Sequence, residues 1–135
     1  NLERARAAGM VQELPCAANW WVGENQDSAL TGLHDHAMYR KYGYGRGCAQ
    51  ISVDIRCGLV SREWALGWLK IHDGRFPETY MGVEFPDVWR HLGMTEGELI
   101  SALDKHTNWD LFGDQEGYQP ILKEWVPQVP CSQVG

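Results

Sequence analysis

The residues most able to do chemistry lie in one basic stretch near the middle of the chain. Six cations occur between residues 40 and 70, against the two anions Asp54 and Glu63; they are Arg40, Lys41, Arg46, Arg56, Arg62 and Lys70. Guanidinium groups can bind phosphate or carboxylate through two parallel hydrogen bonds. The stretch therefore predicts either a site for a small anionic ligand or a solvated helix face, and charge alone leaves both open.

Two further motifs contain residue types that could bind a ligand. Adjacent side chains of His34-Asp35-His36 point away from each other on a helix, so we predict no metal site but allow one histidine a proton-transfer or hydrogen-bonding role. Gly43-Tyr44-Gly45-Arg46-Gly47 lacks the Gly-x-Gly-x-x-Gly spacing of a dinucleotide loop. We interpret it as a glycine-rich link between two closely approaching helices.

Composition limits the class of protein. The chain has 135 residues, 44% of them hydrophobic and 22% charged, as expected of one soluble domain. Its net charge of −6 argues against nucleic-acid binding, because neutralising phosphates needs a basic surface. Its apolar runs are far shorter than the roughly 20 residues of a membrane helix. The four cysteines form no Cys-x-x-Cys pair, so we expect reduced thiols in a cytoplasmic protein without a membrane partner.

Hydrophobic spacing predicts a mainly α fold of about five short helices, with a long N-terminal loop and an extended C-terminal strap. Five of the expected helices cover residues 33–42, 48–57, a segment after Ser61, a segment from Pro86, and residues 95–106, and a further short helix is expected at residues 1–8. The last begins with the capping box Thr95-x-x-Glu98, and Asn108 is expected to cap its end.

Three parts are expected along the chain. Residues 1–32 would be the end of a preceding domain and a loop, residues 33–110 a helical C-terminal domain, and residues 111–135 an extended tail with a short strand near 121–126. The loop over 10–32 carries Trp20-Trp21, which would either strap the core or form part of a functional loop.

Trp89 to Leu99 has the helix, glycine turn and capped helix of a DNA-binding helix-turn-helix. Its second helix would present Glu96, Glu98 and Asp104 to the phosphates, where positive charge is needed. A plain helical hairpin is therefore expected, and DNA binding is a remote alternative.

Several short motifs occur in a fixed order between His34 and Asp110. They are His34-Asp35, Lys41-Tyr42-Gly43-Tyr44-Gly45-Arg46, Ser52-Val53-Asp54-Ile55-Arg56-Cys57-Gly58, Ser61-Arg62-Glu63, Asp73-Gly74-Arg75-Phe76-Pro77 and Leu92-Gly93-Met94-Thr95-Glu96. In order and spacing they resemble the C-terminal region of N-acetyl sugar amidotransferases, which are ATP pyrophosphatases of the PP-loop type. The chain departs from that family at Cys48-Ala49 and at Trp64.

The resemblance implies the C-terminal part of an α/β PP-loop enzyme of surface-glycan biosynthesis. Such enzymes adenylylate an oxygen of a nucleotide-linked N-acetyl sugar, and ammonia from a glutaminase subunit then displaces AMP to leave an amidine. The resemblance also implies ATP with Mg²⁺, and self-association to a homo-oligomer is compatible with it. The family's Ser-Gly-Gly-x-Asp-Ser loop is absent from the 135 residues. We therefore expect a fragment that does not hydrolyse ATP alone, with ATP bound mainly by a domain outside it.

The basic stretch and the resemblance coincide at five predicted binding residues for substrate or nucleotide: Lys41, Arg46, His34, Arg56 and Arg62. Lys41 and Arg46 are expected to face the anionic part of the ligand, and replacing Arg46 by alanine is expected to lower turnover without lowering the melting temperature. For Arg56 and Arg62 the alternative to ligand binding is a structural role. The alternative function for the chain is a non-catalytic helical interaction module within a larger assembly.

Overall fold

The computed structural model describes residues 2–10 and 14–123, which form six helices and four short strands. The helices are α1 (Leu2–Ala7), α2 (Leu30–Tyr42), α3 (Arg46–Arg56), α4 (Arg62–His72), α5 (Phe85–His91) and α6 (Glu96–His106). The strands are β1 (Thr79–Tyr80), β2 (Val83–Glu84), β3 (Phe112–Glu116) and β4 (Gln119–Leu122). β1 pairs with β2 and β3 with β4, both antiparallel, in two separate sheets. Helices predominate as predicted, but the two sheets make the fold mixed.

The apolar core lies between α5 and α6, with α2 packed beside them. Its buried cluster consists of Phe85, Trp89, Leu99 and Leu103. The helix that carries the last two begins at the predicted capping box, in which the Thr95 side chain accepts from the Glu98 backbone N–H and the Glu98 carboxylate accepts from the Thr95 N–H. Met94 packs against the same core. The predicted pair of helices joined by a glycine turn is therefore confirmed.

A buried arginine of α2, Arg40, fastens the β3–β4 hairpin to the helices. Its guanidinium donates to Thr107 Oγ1 at 2.7 Å, to the Tyr118 carbonyl oxygen at 2.9 Å, to Gln115 Oε1 at 2.8 Å and to the Asp104 carboxylate. The prediction of an extended strap is wrong for residues 112–122, because these form a paired hairpin. The rest of the predicted tail, residues 124–135, lies outside the described residues.

The tryptophan pair fastens the loop between α1 and α2 to α3. The indole N–H groups of Trp20 and Trp21 both donate to one carboxylate oxygen of Asp54, at 2.5 Å and 3.2 Å. The backbone N–H groups of the same two residues donate to Gln50 Oε1 at 2.6 Å and 3.1 Å. These contacts favour the strap interpretation of the loop.

Several boundaries differ from the prediction. α2 begins at Leu30 and α3 at Arg46, each a few residues early, and the C-cap of α6 is Thr107 rather than Asn108. The β1–β2 hairpin was not predicted, and its turn contains Met81 and Gly82 at φ values of 51° and 76°. Within the described ranges, none of the helices has the length and apolar character needed to span a membrane. The thiols of Cys16, Cys48 and Cys57 are free.

Candidate functional site

Arg46 and Asp35 form a two-point ion pair between the first turn of α3 and the middle of α2. Arg46 Nε donates to Asp35 Oδ2 at 2.9 Å, and Nη2 donates to Asp35 Oδ1 at 2.7 Å. The Asp35 side chain is 11% exposed and that of Arg46 is 26% exposed. Hydrogen bonding to the carboxylate raises the pKa of Arg46. The guanidinium is therefore held in one orientation by two hydrogen bonds.

His34 joins the same carboxylate from the neighbouring position on α2. Its Nδ1 lies 3.1 Å from Asp35 Oδ1, and its side chain is 71% exposed. The structure thus brings two predicted site residues, His34 and Arg46, onto Asp35, which was quoted in the motif but not predicted as a site residue. We call these three residues the Arg46 cluster.

The glycine-rich connection before α3 is occupied by a carboxylate. Asp73 accepts from the backbone N–H groups of Gly45 and Cys48, at 2.8 Å and 3.0 Å. A Cβ atom on Gly45 would lie 2.8 Å from Asp73 Oδ1, and one on Gly47 would lie 2.7 Å from the Ala18 carbonyl oxygen. Burial raises the pKa of Asp73, while these backbone hydrogen bonds oppose that shift. The glycines therefore allow close packing, but against Asp73 and Ala18 rather than between the two helices that they link, and the Asp73 carboxylate accepts from the free N–H groups at the start of α3.

The other three predicted binding residues lie elsewhere on the helices. Lys41 is exposed in the last turn of α2, with its Nζ 5.2 Å from the centroid of the Tyr42 ring. Arg56 is exposed at the end of α3 and donates to Ser52 Oγ at 3.4 Å. Arg62 is half-buried at the start of α4. A ligand-binding role for these residues stays a prediction.

A small polar pocket adjoins the Arg46 cluster. Its volume is about 10 Å³, and its lining includes Asp35, Arg46, His36 and Asn19. Asn19 is 1% exposed, and its Nδ2 has no hydrogen-bond partner among the residues that the structure describes. Sequence reasoning missed Asn19 because it lies in an irregular loop, where no periodicity or motif singles it out.

A much larger cleft of about 1070 Å³ lies next to the polar pocket. Its walls come from the loop at residues 16–18, the β1–β2 hairpin, α5 and the β3–β4 turn. The polar pocket and the cleft share Cys16, Ala18, Arg75 and Pro77. Sequence reasoning missed this cleft because four separate segments build it. The short strands of the two hairpins also have too little alternation of apolar and polar residues to be recognised.

One comparison with known families decides the relationship of the chain. A family profile described as the C-terminal domain of WbpG-like LPS biosynthesis proteins matches residues 17–125. The chain belongs to this WbpG-like C-terminal domain family. No curated protein matches the chain.

The WbpG-like match confirms the resemblance to the C-terminal region of a glycan-biosynthesis family. It spans the whole Arg46 cluster and nearly all of the cleft lining, with Cys16 just before its first residue. Both candidate binding regions therefore belong to the WbpG-like domain itself. Among the described residues, no group of three or more His, Cys, Asp or Glu side chains is placed to hold a metal ion.

Proposed function

We propose that this WbpG-like domain is the C-terminal, mainly helical part of an ATP-dependent N-acetyl sugar amidotransferase in LPS biosynthesis. Membership of the WbpG-like family supports a role in glycan synthesis. The ordered motifs from His34 to Glu96 support the amidotransferase assignment. The observation that carries the proposal is the Arg46 cluster, in which a bidentate pair orients a partly exposed guanidinium.

In this proposal Arg46 binds the anionic part of the ligand. Two of its guanidinium nitrogens hold Asp35, so its orientation costs little additional conformational entropy when a ligand arrives. Arg75, which is exposed and lines the same polar pocket, adds a second positive charge there, opposite the negative charges of Asp35 and Glu24. A phosphate group next to Nη1 would gain a charge-assisted hydrogen bond without displacing the internal ion pair.

The chemistry is divided between domains. ATP with Mg²⁺ is assigned to an upstream PP-loop domain, where an oxygen of the N-acetyl sugar is joined to AMP and pyrophosphate leaves. Ammonia from a glutaminase partner then forms the new carbon–nitrogen bond as the carbon–oxygen bond to AMP breaks. The WbpG-like domain orients the nucleotide-linked substrate where it meets the PP-loop domain. Bringing reacting groups together in this way is a large part of catalysis.

The test is an amidotransfer assay of the full-length protein with ATP, Mg²⁺, ammonium and a nucleotide-linked N-acetyl sugar. We expect AMP formation that requires both the sugar and the ammonia, together with a sugar product in which NH replaces one oxygen, identified by mass spectrometry. Pyrophosphate release without sugar dependence, or an unchanged sugar, would contradict the proposal.

A second candidate function is a non-catalytic interaction module. The observation in its favour is the group of large apolar side chains exposed on and beside α4: Leu59 at 73%, Ile71 at 59% and Trp64 at 51%. Exposed apolar patches often mark protein interfaces. Under this alternative the same assay gives no AMP, whereas replacing Ile71 by Glu would release the full-length protein from its assembly in size-exclusion chromatography.

A further inference from the structure

The cleft beside the Arg46 cluster has a lining that differs from the cluster in both charge and shape. We propose that this cleft binds the sugar ring of the nucleotide-linked substrate, with one ligand oxygen entering the polar pocket against Asn19. The inference rests on the proposed function and adds to it the location of the sugar and the groups that would recognise it. The phosphates of the substrate would then extend from the cleft toward Arg46.

The charge of the cleft disfavours a phosphate and suits an uncharged ligand. Its ionisable lining residues are Arg75, Glu78, Glu84, Arg90, Glu96 and Glu116. Four glutamates thus face two arginines, and one of these, Arg90, already donates to Asp87 at 3.0 Å. Carboxylates accept hydrogen bonds from hydroxyl groups but repel phosphate oxygens. The neutral, hydroxyl-rich part of a nucleotide sugar is therefore the part that fits this cleft.

Aromatic side chains line the cleft. Phe76 and Tyr118 are stacked with ring centroids 4.3 Å apart and planes inclined by 11°, and Phe85 meets Phe76 edge to face. The C–H groups of a sugar ring can pack on such apolar surfaces while its hydroxyl groups reach polar partners at the rim, as in other small-molecule sites. The aromatic lining and the polar rim therefore both favour a sugar over a fully charged ligand.

The cleft walls are fixed by hydrogen bonds. The Phe76 backbone N–H donates to Gln119 Oε1 at 2.7 Å, and the Tyr118 hydroxyl donates to the Glu96 carboxylate. These bonds join the β3–β4 hairpin to the segment before β1 and to α6. A preformed site loses less conformational entropy on binding than one that must be ordered by its ligand.

Asn19 supplies an independent sign of a ligand oxygen. It is buried, its Oδ1 accepts from Cys16 Sγ at 3.2 Å, and its Nδ2 lacks a partner among the described residues. A buried amide N–H without an acceptor is unfavourable. The polar pocket that Asn19 lines has a volume of about 10 Å³, the size of one oxygen with its hydrogens. A hydroxyl or carbonyl oxygen of the sugar, entering from the adjoining cleft, would accept from Nδ2.

Blocking the cleft with a bulky side chain tests the proposal. Thr79 is exposed, lines the cleft and lies in β1, where tryptophan is well tolerated. We compare Thr79→Trp with Ser101→Trp, an exposed position of α6 outside the cleft lining, in the full-length protein. Calorimetric titrations use UDP-N-acetylglucosamine, free N-acetylglucosamine and Mg²⁺-ATP as probes.

We expect Thr79→Trp to weaken binding of both sugars by roughly tenfold or more, with ATP binding unchanged and Ser101→Trp like the wild type. Equal sugar affinity in Thr79→Trp and the wild type would overturn the proposal, as would a wild-type protein that binds neither sugar. Asn19→Asp, which keeps the shape of the side chain and removes its donor, should weaken sugar binding in a protein shown by circular dichroism to be folded.

Failure of this inference is distinguishable from failure of the proposed function. If the full-length protein forms AMP and the amidine but the KM for the sugar is the same in Thr79→Trp and Ser101→Trp, the cleft assignment is wrong and the amidotransferase stands. If sugar binding is lost in Thr79→Trp but no variant or wild type forms AMP, the cleft binds sugar and the proposed reaction is wrong.

Discussion

Arg40 and Arg46 lie six positions apart in the same basic stretch and have opposite surroundings. Arg40 is 1% exposed, and acceptors from α6, the segment after it and the β3–β4 hairpin satisfy its guanidinium. Among the described residues Arg46 donates to Asp35 and also feels the negative charge of Glu24, and about a quarter of its side chain is exposed. Arg40 therefore joins parts of the fold, whereas Arg46 is held in place and has more N–H donors than the two that Asp35 accepts from.

The comparison shows why charge alone cannot assign a binding site. Both arginines were counted among the cations of a predicted anion site, yet only Arg46 keeps part of its side chain exposed. The acceptors of Arg40 are 64 to 78 residues away in sequence, and no local pattern places them together. Burial and the number of internal acceptors separate a structural arginine from one that can bind a ligand.

Removing Arg40 should have the largest effect on stability. Arg40→Ala leaves the buried Thr107 hydroxyl and three partly buried acceptors without this donor and detaches the hairpin, so we expect the free energy of unfolding to fall by about 3 kcal/mol. Urea unfolding followed by tryptophan fluorescence measures the change. Arg56→Ala, which removes an exposed arginine, should change it by less than about 0.5 kcal/mol. Equal stability of the two variants would remove the distinction drawn here between structural and exposed arginines.

The second effect concerns His36, which lies beside Arg40 and contacts the same Tyr118 carbonyl oxygen, at 3.2 Å. Burial, and then the charge of Arg40, lower the pKa of His36 to about 4 from its usual 6.5. The unfolded chain therefore binds more protons than the folded chain between these values, so stability should be fully present above pH 6.5 and decline as the pH falls toward 4.

Replacing His36 by Gln should reduce the loss of stability between pH 6.5 and pH 4. The measurement is the free energy of unfolding at a series of pH values. His91→Gln, at an exposed position of α5, is the control and should keep the wild-type slope. If His36→Gln loses stability with falling pH as steeply as the wild type, the buried histidine is not the group responsible.

The smallest of the three effects belongs to the Arg46–Asp35 pair. Arg46→Ala should cost roughly 1–2 kcal/mol, because it leaves the mostly buried Asp35 carboxylate without its partner. This revises the sequence-based expectation of an unchanged melting temperature. Asp35→Asn removes the charge and keeps the shape, so the double variant should be less destabilised than the sum of the single variants, by about 1 kcal/mol. Additive effects would show that the pair is not coupled.

Local signals in the sequence predicted the helices more successfully than the site. The Thr95–Glu98 capping box and Ser61, which accepts from the Trp64 N–H, are short-range devices and could be recognised directly. The β3–β4 hairpin could not, because its first strand, Phe112–Glu116, has one buried apolar residue followed by mostly exposed polar ones. Its position depends on Arg40, a contact across the whole domain.

The candidate site was predicted only in part for the same reason. Arg46 and His34 belong to motifs that the sequence shows, and both contact Asp35. Asn19 and the cleft residues acquire significance only when distant segments meet, as where Phe76, before β1, stacks on Tyr118 of the β3–β4 turn.

The most direct test of the distinction between the two arginines is the turnover of Arg46→Lys in the full-length amidotransfer assay. Lysine keeps the positive charge but cannot hold Asp35 through two nitrogens and still present a third to an anion. We predict that AMP formation falls at least about tenfold, while Arg6→Lys, at an exposed position of α1, retains wild-type turnover. Wild-type turnover in Arg46→Lys would contradict the account, because the oriented guanidinium would then have no part in binding the substrate.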